Sequence, residues 1–187
     1  MTKEEFKELF INRSLNSKNN NMIVRDDETS LIEDIPKTTY VSFIGNNIES
    51  RDAHNVFIDF EKINVHDIFN YILSYLKRLN LLDNNLDYEL PFNRKIDVFR
   101  FQRILSNYDI VVQIIINNVN LLNTKDQMLL NELYYYNSPF FNVITFTKDH
   151  FSTYQLQDGK MLDSREDYQM IEFEKAEQRI LKDKYWN

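Results

Sequence analysis

The chain has 187 residues and a net charge of −7, and it contains no cysteine and two glycines. This length supports one domain with a hydrophobic core, and the lack of cysteine excludes disulfides, thiolate zinc sites and a cysteine nucleophile. The acidic balance weighs against unaided binding to nucleic acid, which requires a local excess of Lys and Arg. Because the chain has neither a membrane-spanning apolar run nor a secretory signal, we expect a cytoplasmic or nuclear protein without membrane contact.

The N-terminal part of the chain is predicted to be helical. A capping-box pattern and apolar residues at helical spacing predict a helix over residues 3–15. The acids that begin at Asp26 then start a short helix, which Pro36 ends. We therefore interpret residues 1–38 as a helical segment that precedes the core.

Strands and helices alternate in the central part of the chain. Apolar runs predict about four strands, at residues 39–44, 55–60, 109–116 and 141–147. Helices are predicted between them, at residues 65–79, at residues 97–106 and from Thr124 onward. The run 109–116 is the most apolar, and its β-branched residues are typical of a strand buried on both faces. The alternation predicts a three-layer α/β fold, in which helices flank a mostly parallel central sheet.

The last part of the chain is predicted to form a hairpin and a helix. Asp158 and Gly159 lie between two short apolar stretches, and this dipeptide is typical of a turn in which both central residues have positive φ. A capping pattern then predicts a helix over residues 165–184. The whole chain is interpreted as a single domain, made of the N-terminal segment 1–38, an α/β core 39–150, and a C-terminal part 151–187.

The order of these segments, over about residues 22–147, resembles the N-terminal nucleotide-binding core of AAA+ ATPases of the initiator type, such as those of the origin-recognition complex. The stretch from Met22 to Glu28 resembles the family's segment ahead of the nucleotide site, although its glycine is missing. The strand 39–44 resembles the strand that enters the phosphate loop. The run 109–116 resembles the Walker B strand and 141–147 the sensor strand. The resemblance implies an ATPase-like fold and membership in an assembly for DNA replication or maintenance.

The expected phosphate loop lacks the residues that bind phosphate. Its pattern, G-x-x-x-x-G-K-[ST], supplies backbone N–H groups to phosphate, a Lys to the β and γ oxygens, and a hydroxyl to magnesium. Counted from Gly45, the last three positions hold Ser50, Arg51 and Asp52. Asp52 would repel a phosphate group, so we predict a degenerate phosphate loop.

The expected Walker B acid is also replaced. Its position falls on Asn117 or Asn118, and an amide carries no charge for a metal ion and cannot act as a base. Thr147, on the sensor strand, completes this degenerate site. We therefore predict a pseudo-ATPase that does not hydrolyse ATP and needs no cofactor.

Other side chains in the sequence indicate binding rather than catalysis. Because the three histidines, His54, His66 and His150, are dispersed, no metal site is predicted. Asp59, at the end of a strand, is the best single acid for a site. A basic cluster predicts a contact face for a phosphate backbone or an acidic partner, with a solvated helix face as the alternative: Arg94, Lys95, Arg100 and Arg103. Aromatic residues predict a protein interface: Tyr134, Tyr135, Tyr136, Phe140 and Trp186.

The sequence leaves three functions open. The first is a non-catalytic AAA+-like subunit that binds proteins in an assembly for DNA replication or maintenance. The second is a small α/β inhibitor or immunity-type interaction protein from a virus or mobile element. The third is a degenerate RecA-like accessory protein of recombination. The expected partners are proteins, and contact with nucleic acid is expected only indirectly or through a local basic patch.

Overall fold

A mostly parallel sheet forms the centre of the protein. The computed structural model describes residues 21–25, 39–44, 47–83, 89–136, 138–148, 150–164 and 166–172. Within these residues, six strands form one sheet in the order β2-β3-β4-β5-β1-β6. They are β1 (Met22–Arg25), β2 (Thr39–Ile44), β3 (Asn47–Asp59), β4 (Val111–Asn117), β5 (Phe141–Thr147) and β6 (Gln169–Glu172). All neighbouring strands are parallel except β2 and β3, which confirms the predicted α/β class.

Three α-helices are described, and they share one core with the sheet. They are α1 (Ile68–Arg78), α2 (Lys95–Asn107) and α3 (Thr124–Tyr135). The Phe69 ring on α1 stacks on the Phe101 ring of α2, with centroids 4.4 Å apart. The helices predicted at 65–79, at 97–106 and from Thr124 are therefore confirmed. None of the described helices is long and apolar enough to cross a membrane.

A buried carboxylate fixes the beginning of α2. The helix begins at Lys95, two residues before its predicted start. Asp97 accepts hydrogen bonds from the backbone N–H groups of Asn93 and Arg94, both at 3.1 Å. Acceptors at this position satisfy amide groups that the helix itself leaves unpaired. The basic residues of the predicted contact face therefore lie at the start of this helix and along it.

The segment after β5 is held by polar side chains of α3. The side-chain amide of Asn131 donates to the carbonyl oxygens of Thr153 (3.1 Å) and Gln155 (2.9 Å). The Oε1 atom of Glu132 accepts from the backbone N–H of Gln157 at 3.1 Å. Because Asn131 and Glu132 are buried, these hydrogen bonds hold the segment against α3.

The predicted turn at residues 158–159 is confirmed as a turn, but its geometry differs. Only Gly159 has positive φ, at 88°, and its N–H donates to the carbonyl oxygen of Leu156 at 3.1 Å. The flanking residues Gln155 and Met161 form a single antiparallel bridge. A type I turn followed by glycine in the left-handed region gives this arrangement, so the prediction of two residues with positive φ was wrong.

Two strands lie where no strand was predicted, at β1 and β6. β6 occupies residues 169–172, within the helix predicted over 165–184, and β1 lies in the segment interpreted as helical. The sheet therefore draws strands from residues 1–38 and 151–187 as well as from the predicted core. Because β1 has only four residues, of which the first three are buried, it shows no alternation that a sequence pattern could reveal. The helices predicted over 3–15 and from Asp26 lie outside the described residues.

β3 is longer than predicted and pairs with two different strands. Its residues 47–52 pair antiparallel with β2, and its residues 53–59 pair parallel with β4. The strands at 39–44 and 55–60, predicted as members of one mostly parallel sheet, are thus joined through an antiparallel hairpin. Because β4 begins opposite Ala53, this hairpin extends past the amino ends of the parallel strands.

Asn21 anchors β1 between its two neighbours. Its side-chain amide donates to the carbonyl oxygens of Tyr134 (3.0 Å) and Asp167 (3.3 Å), and its Oδ1 atom accepts from the N–H of Val143 at 2.9 Å. Its own carbonyl oxygen accepts from the N–H of Gln169 at 2.9 Å. One buried side chain therefore connects β1 to β5, to the end of α3 and to the approach to β6.

We predict that Asn21→Ala destabilises the protein by about 3 kcal/mol, because it leaves buried backbone groups without their partners. Urea unfolding followed by circular dichroism measures the change. Asn107→Ala, at the exposed end of α2, is the control, with an expected change within about 0.5 kcal/mol. Equal losses for the two variants would show that Asn21 is not an anchor.

Candidate functional site

The carboxyl ends of the parallel strands form the candidate site. β1 lies between β5 and β6. The chain leaves β1 towards β2, which lies on the β5 side, and later crosses from β5 to β6 on the other side of β1. The chain direction across the sheet therefore reverses at β1, and open α/β sheets bind their ligands outside the carboxyl ends of strands at such a point. The register places Asp59 beside Asn117 and Arg25 beside Thr147 at this edge.

Asp59 is engaged by neighbouring side chains. Its Oδ1 atom accepts from the Asn118 side-chain amide at 2.8 Å, and its Oδ2 atom lies 3.3 Å from the Nζ of Lys62. The hydrogen bond from Asn118, followed by one from the backbone N–H of Glu61, lowers the pKa of Asp59 below its ordinary value. Asp59, the best single acid of the sequence, is thus an ionised carboxylate that is already bonded to Asn118 and lies beside Lys62.

The two asparagines after β4 bond within the protein. Asn118 has left-handed backbone geometry (φ 59°, ψ 32°), which asparagine adopts more readily than other residues with a side chain. Its N–H donates to the Oδ1 atom of Asn117 at 2.8 Å. The predicted position of the Walker B acid is therefore a closed turn of amides. Within the described ranges, no group of three or more His, Cys, Asp or Glu residues could hold a metal ion.

Arg25, the last residue of β1, and His150, three residues after β5, form a second pair at the same edge. The guanidinium group of Arg25 donates a hydrogen bond to the Nδ1 atom of His150. Thr147 is buried at the end of β5, beside Arg25 in the register. His150 is remote from Arg25 in the sequence, and only the pairing of β1 with β5 brings the two residues together, so the sequence pattern does not reveal this pair.

The predicted phosphate loop does not lie at this edge. Ser50, Arg51 and Asp52 are residues of β3, opposite β2, and Gly45 lies outside the described residues. The hairpin that contains them extends past the amino ends of the parallel strands, whereas Asn117, Asn118 and Thr147 lie at the carboxyl ends. The prediction of a phosphate loop that begins at Gly45 was therefore wrong. β2 is followed by an antiparallel strand, β3, whereas a phosphate loop joins a strand to a helix.

The strand at the position that favours a phosphate loop is β1. The sequence after it begins with Asp26, Asp27 and Glu28, and it contains no lysine before Lys37 and no glycine before Gly45. The loop pattern requires glycine and lysine within eight residues, and successive acids repel phosphate. The phosphate-binding residues are therefore missing after β1 as well as after β2.

The basic and aromatic predictions meet on one surface. Arg94, Lys95, Arg100 and Arg103 are all exposed. Phe99 on α2 contacts Tyr136, which follows α3, with ring centroids 4.7 Å apart. This contact joins the basic helix to the predicted aromatic interface, although Phe99 itself was not selected from the sequence.

One of the predicted interface residues belongs to the core instead of that surface. Tyr134 is fully buried, and its hydroxyl contacts Thr145, so its placement at an interface was wrong. Its burial raises the pKa of the Tyr134 hydroxyl. Phe140, like Tyr135 and Tyr136, is half-buried and packs against the core, and Trp186 lies outside the described residues. Tyr135 and Tyr136 remain half-buried at the surface.

We predict that Asn118→Gly raises the pKa of Asp59 towards its ordinary value, as measured by NMR titration of the carboxyl group. Glycine keeps the left-handed backbone and removes the donor. Lys62→Met is the comparison, and it should raise the pKa less. Because the pKa of Asp59 is lowered in the folded state, its ionised carboxylate stabilises the fold at pH values above its ordinary pKa. This stabilisation is therefore present at neutral pH and is lost as the pH falls through the folded pKa. A larger effect of Lys62→Met would contradict the assignment.

Comparison with known proteins gives a likeness of fold. No family model matches the sequence, and no curated protein matches it. The structure is similar to a chain in the structure of Drosophila ORC bound to DNA, with a TM-score of 0.51 and 16% identity, over 80% of this chain and 79% of that one. Drosophila ORC bound to AT-rich DNA and Cdc6 gives a TM-score of 0.45 and 14% identity, over 79% of this chain and 48% of that one. The first likeness shows that this chain has an ORC-like fold.

Proposed function

We propose that the protein is a non-catalytic AAA+-like subunit that binds other proteins in an assembly for DNA replication or maintenance. The observation that carries the proposal is the closed turn after β4. The backbone N–H of Asn118 donates to Asn117 and the Asn118 side-chain amide donates to Asp59, where an ATPase needs a carboxylate to hold magnesium and orient the attacking water.

The size of the missing contributions supports a non-catalytic role. Removing one preorganised group that stabilises a transition state typically costs about 10²–10³ in rate. Here an acid is replaced by an amide, and the phosphate-loop glycine and lysine are missing after β1. Because such losses concern separate groups of one site, hydrolysis at a useful rate is not expected.

The likeness to an ORC chain supports the assembly part of the proposal. That chain belongs to a structure of ORC bound to DNA. Since the protein described here carries a net charge of −7, we infer that other subunits would hold DNA and that this chain contributes protein contacts. An inhibitor or immunity-type protein would also lack ATP chemistry, but the ORC-like fold favours the subunit role.

We predict that the purified protein gives no saturable heat with ATP and magnesium in titration calorimetry. Asn117→Asp should behave in the same way, because restoring one carboxylate does not supply the missing phosphate loop. An active AAA+ ATPase, measured in the same buffer, shows that the assay detects binding. Magnesium-dependent binding of ATP by the wild-type chain would contradict the non-catalytic assignment.

We also predict that the native protein elutes in size-exclusion chromatography as part of a complex much larger than a single chain. The complex should survive nuclease treatment, because proteins rather than DNA hold it together, and mass spectrometry should identify DNA replication or maintenance factors in it. Elution as a free single chain, or in a complex with a toxin or nuclease target, would contradict the subunit role.

A further inference from the structure

An apolar and basic stripe runs along the exposed side of α2. Ile96 and Phe99 are 44% and 46% exposed, and they lie three residues apart on the helix. Arg100 and Arg103 are exposed and follow them at spacings of three and four residues, which place side chains on one helix face. The stripe therefore combines apolar anchors with positive charge.

Aromatic contacts extend this stripe to α3 and to the turn at Gly159. The Phe99 ring meets the Tyr136 ring edge to face, and the Tyr136 ring meets the Tyr135 ring at 5.2 Å. The Nζ atom of Lys160 lies 5.4 Å from the centre of the Tyr135 ring. We name the combined surface the aromatic–basic face, and it consists of Ile96, Phe99, Arg100, Arg103, Tyr136 and Lys160.

Among the described residues, cations outnumber accessible carboxylates around this face. Lys95 and Lys160 share one carboxylate, Asp158, at 4.0 and 3.8 Å. Arg100 pairs with Asp97 at 3.2 Å, and that carboxylate is buried at the start of α2. A protein of net charge −7 thus has a local positive surface, which attracts an acidic partner and discourages a basic one.

We propose that the aromatic–basic face binds an acidic segment of a partner protein that also carries aromatic or aliphatic side chains. The inference rests on the protein-binding part of the proposed function and names the surface and the chemistry of the partner. Exposed aromatic and arginine side chains anchor protein interfaces, while the cations select acidic segments.

The ring geometry favours a protein segment over single-stranded nucleic acid. Stacking of bases requires open ring faces. Here the Phe99 and Tyr136 rings pack against each other with an interplanar angle of 62°, and the Nζ atom of Lys160 lies 3.5 Å from the Tyr135 hydroxyl. Rings packed edge to face suit side chains of a protein better than stacked bases.

The face is held in place before a partner binds. The backbone N–H of Gln157 donates to the buried Glu132, and the Gln157 side-chain amide donates to the carbonyl oxygen of Asn93 at 3.2 Å. These bonds tie the turn to both α3 and the start of α2. Since a preorganised surface loses less entropy on binding, a short segment is sufficient to bind it.

The test uses a fluorescein-labelled synthetic peptide of Glu and Phe residues, with fluorescence anisotropy as the readout. Phe99→Ala and Arg103→Glu should each raise its Kd about tenfold. Tyr71→Ala and Arg78→Glu, which change exposed residues on α1, are the matched controls and should leave the Kd unchanged. Circular dichroism confirms that all four variants are folded.

Two further probes decide the chemistry of the partner. A peptide with Lys in place of every Glu should not bind, and single-stranded oligothymidylate should bind more weakly than the acidic peptide. Equal effects of the α1 controls, tighter binding of oligothymidylate, or no binding of the acidic peptide would each overturn the inference. These outcomes leave ATP titration and native complex size unaffected, so failure of the face is distinguishable from failure of the proposed function.

Discussion

The side chain of Asn21 holds together the part of the sheet on which the candidate site depends. β1 has four residues, and a strand this short has few ladder hydrogen bonds of its own to its two neighbours. The amide of Asn21 adds bonds to Val143, Tyr134 and Asp167 from a position that is 3% exposed. Because these groups have no access to water, their bonds fix the position of β1 between β5 and β6.

The position of β1 decides which residues share the carboxyl edge of the sheet. With β1 between β5 and β6, Arg25 lies beside Thr147, and the end of β4 lies two strands away. That end is occupied by Asn117 and Asn118, whose hydrogen bonds are made within the protein. The polar groups of Asn118 and Asp59 thus stabilise a turn at this edge. We propose that the protein binds its partners elsewhere on the surface, where α2 carries exposed apolar and basic side chains.

Local sequence patterns predicted elements whose stability is local or whose run is long. β5 was predicted at its observed bounds, and the helices from Thr124 and over 65–79 follow from apolar spacing and capping. The patterns failed where pairing between distant segments decides the structure, as for β1, β6 and the hairpin around Gly45. The phosphate loop was misplaced for the same reason, because its position depends on the order of the strands in the sheet. Tyr134 and Tyr135 show the limit at single residues, because neighbouring aromatic residues in a sequence do not reveal which ring a helix turns inward.

We propose that the amides of Asn117 and Asn118 occupy the carboxyl edge, so that it does not receive a nucleotide. NMR spectra of the ¹⁵N-labelled protein resolve the side-chain amide signals of asparagine, including Asn117 and Asn118. The account predicts that these signals, and the backbone signal of Thr147, stay unchanged when ATP and magnesium are added in large excess. Saturable shifts confined to these signals would contradict it, because they would place a nucleotide at the end of β4.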